Sequence, residues 1–490
     1  MAGYATLHPA YSNETTQHEG WAKPTAKGEM KNEAIPGASP ALRLIEFWQS
    51  PRQTIPSAVL ERAKHCLLDG LGCGLFGSGQ PWGEIMSSEI FADGSRGPCT
   101  VLGSRRTAAA PQAALSNGTA IHGFELDDLL PASIIHPGTV IVPAALAAAE
   151  ASNASGMALL RGIVAGYESM SRLSLALGME PSHRGFHKTS VVGPVAAAIA
   201  AGVVAGLPSE QMICAAGLAC STASGIKSFA GGSGGGMVKR MHAGRAAEAG
   251  VRMSRLAQRG FTGPRAAIDG RYGLLEVYAG ESAEPHRLCE GLGEEWAMDG
   301  LWVKVYPLCG WIQGVVQLLT AMREGAALPL DRIEKVVVGT SAFAVKNNAN
   351  PAPSDTMEAQ YSLPYCVALA LTGDPADPNE FRAPAINDPL RRAFAQRVEL
   401  RVDPESEAVY PARFGSRVEV HFSNGEVKQA ATLDPHGTAA DPCTREELVG
   451  KFRRLAALSP AAIDASAIVN VVSHLHEATS ADELTRLLRR

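Results

Sequence analysis

Ser57-Ala58-Val59-Leu60-Glu61-Arg62-Ala63-Lys64-His65-Cys66-Leu67-Leu68 places apolar residues at 59, 63, 66 and 67, the three- and four-residue spacing of one helix face. Ser57 stands where an N-cap is expected, and Gly70 and Gly72 stand where such a helix would end. The same pattern, rich in small residues, extends outward. It predicts helices over Pro111 to His122, Pro143 to Ala151, Gly156 to Leu177, Val192 to Ala205, Ser209 to Ala223 and His242 to Arg259. Alanine at this density lets helices approach closely, so residues 40–280 are expected to form a large all-helical domain of several layers.

After about Tyr278 the periodicity changes. Ile333 to Gly339, Val398 to Val402 and Arg417 to Phe422 are strand-like, and Ser423-Asn424-Gly425 is a hairpin turn leading into Glu426 to Thr432. Gln360 to Thr372 reads as an intervening helix. The expected class is therefore mostly α with an α+β part, the smaller α/β domain spanning 281–440. Helical spacing returns from Thr444, and residues 441–490 are expected to pack back on the helical domain. Met1 to Glu33 are polar with no targeting pattern, and residues 1–39 are expected to form a disordered or extended tail.

A chain of 490 residues with 46% hydrophobic and 19% charged residues can bury a substantial core. The 44 basic and 49 acidic residues give a net charge of -5, which lacks the basic excess that nucleic acid or an anionic membrane demands. The charge-free stretch Thr189 to Leu207 contains Pro194 and many small residues, which favours a buried helix over a membrane span. Nine scattered cysteines with no C-x-x-C pair offer neither a zinc knuckle nor a disulfide framework and suggest a cytoplasmic setting.

Four clusters carry possible chemistry. His122-Gly123-Phe124-Glu125-Leu126-Asp127-Asp128, continuing to His136-Pro137-Gly138, combines acids and histidines near apolar segments, which suits proton transfer or, equally, a capped helix end. Arg184-Gly185-Phe186-His187-Lys188-Thr189-Ser190 opens the Ala-rich helix, where a positive N-terminus beside His187 and Lys188 would suit a carboxylate. Gly231 to Gly236 leads to Lys239, His242 and Arg245 but matches no phosphate-loop or dinucleotide fingerprint. Lys304-Val305-Tyr306-Pro307-Leu308-Cys309-Gly310 forms a turn between the two expected domains.

Taken in order, these segments resemble the MmgE/PrpD family, the group of 2-methylcitrate dehydratase, cis-aconitate decarboxylase and iminodisuccinate epimerase. The resemblance also rests on Glu61-Arg62-Ala63-Lys64, Leu68-Asp69-Gly70 and Tyr361-Ser362-Leu363-Pro364-Tyr365, and runs from about Ala41 to near the C-terminus. It implies a helical domain with an α/β lid, a homodimer, and a site without metal or cofactor that binds a small polycarboxylate. By position it implies proton transfer at His136, with His187, Lys239, Tyr306 and Asp127 also catalytic, and Glu125, Lys188, Thr189, His242, Arg245 and Lys304 near the substrate. Leu129 and Leu130 replace polar residues common in the family, Lys188 replaces a common proline, and Gln313 a frequent histidine. The Asp-to-His interval looks closer to fungal cis-aconitate decarboxylases than to bacterial 2-methylcitrate dehydratases.

The expected chemistry is that of a lyase working through a carbanion next to a carboxylate, most like cis-aconitate decarboxylase. Dehydration and epimerisation are the nearest alternatives. An alternative of another class is a metal-dependent enzyme using Asp127, Asp128 and His136. A terpene-cyclase-like use of the Asp pair lacks the third acid of D-D-x-x-D.

Overall fold

A computed structural model describes residues 39–50, 54–230, 236–325 and 328–489. The expected tail, apart from Ser39, and positions 231–235 of the glycine run lie outside these residues.

The helix opened by the quoted stretch, α1, spans Ser57–Gly77. It is capped by Pro56 rather than Ser57, and it runs past Gly70 and Gly72. Those glycines are points of close approach. A Cβ on Gly70 would lie 3.2 Å from a Val142 methyl, and one on Gly72 would lie 3.3 Å from the Cα of Phe452. Gly70 and Gly72 therefore admit neighbours where the sequence suggested an end.

Five further helices frame the site: α2 (Ala110–Ile121), α3 (Gly138–Ser152), α4 (Gly156–Leu177), α5 (Lys188–Val204) and α6 (Val238–Gln258). Helix α5 is surrounded by α3, α4 and α6. That is why it is apolar on nearly every side and keeps Pro194 within its length. No helix among the described residues is long and apolar enough to cross a membrane. Helices α2 and α6 cross at Gly118 and Gly244, where a Cβ on Gly118 would stand 2.8 Å from the Gly244 Cα. This contact brings the C-terminal end of α2, followed by His122, beside the face of α6 that carries Lys239 and His242.

The second half is mixed. Helix α7 (Gly310–Gly325) packs on α9 (Leu363–Thr372), and the short α8 (Thr356–Gln360) precedes α9. Strands β1 (Ile333–Thr340), β2 (Val398–Val402), β3 (Ser416–Phe422) and β4 (Val427–Thr432) form one sheet in the order β2-β1-β3-β4. Pairing is parallel between β1 and β2 and antiparallel elsewhere. Gly425, at φ 83°, turns the β3–β4 hairpin. Val418, Val420 and Phe422 of β3 are buried, and helix α7 packs against this strand. Helix α10 (Arg445–Ala457) opens with a capping box between Thr444 and Glu447 and lies along α1.

Candidate active site

The chain between α2 and α3 turns sharply through buried polar residues. Glu125 has φ 56°, a left-handed conformation uncommon for a residue with a side chain. Two long-range restraints hold this segment. Leu129 and Trp302 exchange backbone hydrogen bonds of 2.9 and 2.8 Å, and the Lys451 ammonium donates to the Leu126 carbonyl at 2.7 Å. The first brings the approach to Lys304 against the acidic segment. The second ties that segment to α10, where Lys451 also pairs with Asp69 at 2.6 Å.

Asp127 lies between two imidazoles, its Oδ2 2.7 Å from His136 Nδ1 and 3.1 Å from His122 Nδ1. Burial would raise its carboxyl, but Lys304, His136 and His122 together hold it well below the usual carboxylate range. His136 Nδ1 also lies 2.9 Å from the Asp128 carbonyl. Both neighbours of that nitrogen are acceptors, so Nδ1 carries the hydrogen and neither of them engages Nε2. The His136 amide donates to Thr189 Oγ1 at 3.2 Å, which anchors the residue to the start of α5.

A second group adjoins the first. The Lys239 ammonium donates to Glu125 Oε1 and, at 3.0 Å, to the Tyr361 hydroxyl. Glu125 Oε2 accepts from Lys304 at 3.2 Å, and Lys304 stands 3.9 Å from Asp127. Burial would favour neutral Glu125, yet Lys239 and Lys304 keep it ionised. Asp127 and Glu125 in turn raise the pKa of Lys304 against the effect of burial. Two buried carboxylates and two ammoniums thus compensate one another.

His136, His187, Lys188, Lys239, Phe229 and Tyr361 share a cavity of about 340 Å³. Glu125, Asp127, Lys304 and His242 lie behind that wall. His187 caps α5, and its Nδ1 meets His242 Nδ1 at 3.1 Å. Burial, reinforced by nearby cationic and imidazole groups, pushes His187 well down, so it is neutral at pH 7. Thr189 serves His136 rather than the cavity.

Three further expected residues have side chains that join neither this space nor the groups behind it. Arg245 points outward to pair with Glu248. Tyr306 is held in a turn in which Gln313 bonds its amide and its carbonyl, at 3.2 and 2.8 Å, and its phenol lies beside Thr320. Asp128, weighed above as a metal ligand, turns away from Asp127 and His136 because its carboxylate accepts from Tyr167 at 2.5 Å and from the Gly138 amide at 2.9 Å. Two residues join the site without having been assigned to it. His122 packs between His136 and His187, and Tyr361 bonds Lys239. Both stand in quoted segments, but only a paired geometry distinguishes them from packing residues.

The fold and the site define a mostly helical protein with a small mixed sheet, in which a buried carboxylate–imidazole pair and a lysine–tyrosine pair share one cavity. The MmgE/PrpD N-terminal domain model matches residues 48–286 and the C-terminal domain model matches residues 306–477. The chain belongs to the MmgE/PrpD family. It is 30% identical to a cis-aconitate decarboxylase-like protein of Aspergillus oryzae, over 89% of this chain and 94% of that one. The cis-aconitate decarboxylase of Aspergillus terreus is 28% identical, over 84% and 88% of the two chains. The human cis-aconitate decarboxylase is also 28% identical, over 88% and 90%.

Proposed function

We propose that this chain is a cofactor-free lyase that decarboxylates a small tricarboxylate such as cis-aconitate. The observation that carries the reading is His136, whose Nδ1 faces the Asp128 carbonyl and the Asp127 carboxylate while the residue lines the same cavity as Lys239 and Tyr361. Loss of one carboxyl group as carbon dioxide leaves its bonding pair on the adjacent carbon. That pair forms a new double bond, the original alkene pair moves to the far carbon, and His136 Nε2–H supplies a proton there. The trianion and one proton thus become a dianion and carbon dioxide. Lys239, oriented by Glu125, offsets carboxylate charge, and Tyr361 offers a hydroxyl donor. Nine free cysteines suit the reducing cytoplasm proposed for the protein.

A metal-dependent reading has one observation in its favour: ligand atoms of His122, Asp127 and His136 lie within 4.8 Å of one another. Against it, Asp127 Oδ2 is shared by two imidazole nitrogens, and Lys304 beside Oδ1 would repel a divalent ion. The test is proton NMR of cis-aconitate, 2-methylcitrate and iminodisuccinate with enzyme in deuterated buffer, before and after exhaustive chelation. Carbon dioxide release with one deuteron incorporated, unchanged by chelation, is expected. Water loss or stereochemical inversion alone would move the assignment to dehydratase or epimerase, and loss of turnover on chelation would move it to the metal reading.

A further inference from the structure

Five lysines are buried among the described residues: Lys64, Lys188, Lys239, Lys304 and Lys451. Four have an anionic partner within the protein. Lys64 pairs with Glu61, Lys239 with Glu125, Lys304 with Glu125 and Asp127, and Lys451 with Asp69. Lys188 is the exception. It is 3% exposed, and its ammonium makes no hydrogen bond or ion pair with a described residue. Burial alone pushes its ammonium down to about 8, with no carboxylate close enough to raise it.

A buried ammonium without a counter-ion is strongly penalised, and a fold that pairs its other buried lysines leaves this one open where the cavity lies. Lys188 is the first residue of α5, so the positive end of a 17-residue helix adds to its field. Lys227 also lines the cavity, and no carboxylate perturbs it. The cavity's acids, Asp355 and Glu358, are engaged locally. Asp355 caps α8, and Glu358 accepts from the Ser354 amide and hydroxyl.

We infer that Lys188 is a carboxylate anchor, distinct from Lys239, that selects ligands carrying a third carboxylate over dicarboxylates of the same length. This rests on the polycarboxylate reading above and names the group that sets its specificity. The ligand supplies the counter-ion that the protein withholds, so binding and charge neutralisation occur together.

The test is calorimetric titration at pH 7 with propane-1,2,3-tricarboxylate and with glutarate, which lacks the central carboxylate. Wild type should bind the tricarboxylate at least tenfold more tightly. Lys188→Met should remove that preference while leaving glutarate affinity within twofold, and Lys188→Gln should do the same. The ligand-free Lys188→Met protein should melt no lower than wild type, because an unpaired buried charge has been removed. A retained preference in both variants, or a wild type that prefers neither acid, overturns the anchor. Turnover of cis-aconitate with KM and kcat unchanged in Lys188→Met would also sink the anchor while sparing the decarboxylase reading. Lys188-dependent binding without turnover would do the reverse.

Discussion

At the scale of single residues, the site divides into groups that meet the cavity and groups that set their charge. His136→Ala is expected to lower kcat by roughly 100-fold or more with little change in melting temperature, the usual loss for a general acid or base. Near wild-type kcat on the true substrate would remove His136 from the mechanism. Lys239→Ala should raise KM and lower kcat together, since its charge acts on bound substrate and transition state alike. Initial rates across substrate concentration separate the two patterns. Asp128 supplies a stability signature. Burial raises its carboxyl to about 7, against a value near 4 in the unfolded chain. Between those limits the unfolded chain loses this proton first, so the residue's contribution to stability falls as pH rises. Asp128→Asn should remove that decline, read as a less negative slope of melting temperature between pH 5 and 7. His136, His187 and the acids and lysines of the site were legible because such residue types recur in ordered segments resembling a family, whereas His122 was not singled out. Tyr361 was not, because 122 positions separate it from Lys239 and a tyrosine in a loop has no local mark of its partner.

At the scale of elements, helix ends were harder to read than helices. Gly156–Leu177 and Val398–Val402 agree with the sequence reading residue for residue. By contrast, α3 begins at Gly138, five positions before the proline taken for its start, and α5 begins at Lys188 although Val192 was expected. Pro143 and Pro194 lie inside helices surrounded by neighbours, so tertiary packing overrides the local preference against them. The crossing of α2 and α6 depends on Gly244, where a Cβ would fall 2.2 Å from the Leu115 carbonyl oxygen. Gly244→Ala gains about 1 kcal/mol in helix propensity. Forcing two helices apart costs about 1–3 kcal/mol, so net destabilisation is expected by denaturant titration. Activity should fall as well, because the displaced α6 carries Lys239 and His242. An unchanged midpoint would show that the crossing yields more easily than its geometry implies.

At the scale of the whole molecule, a predominantly helical chain with a small mixed sheet was legible from the change of periodicity near residue 278. Which helices touch was not, since small residues permit many pairings. We propose a symmetric homodimer, expected as twice the 51.4 kDa chain mass by light scattering. A fully active monomer at working concentration would contradict it. The hydrogen bond from Lys451 to Leu126 joins positions 325 apart in sequence and supports the segment that holds Asp127. During synthesis that segment is made more than three hundred residues before its support. A ribosome paused at residue 440 would therefore carry every cavity-lining group named here and the Trp302 restraint but not the Lys451 one, so full catalytic competence should arrive as a late event in translation rather than accumulate as the chain lengthens.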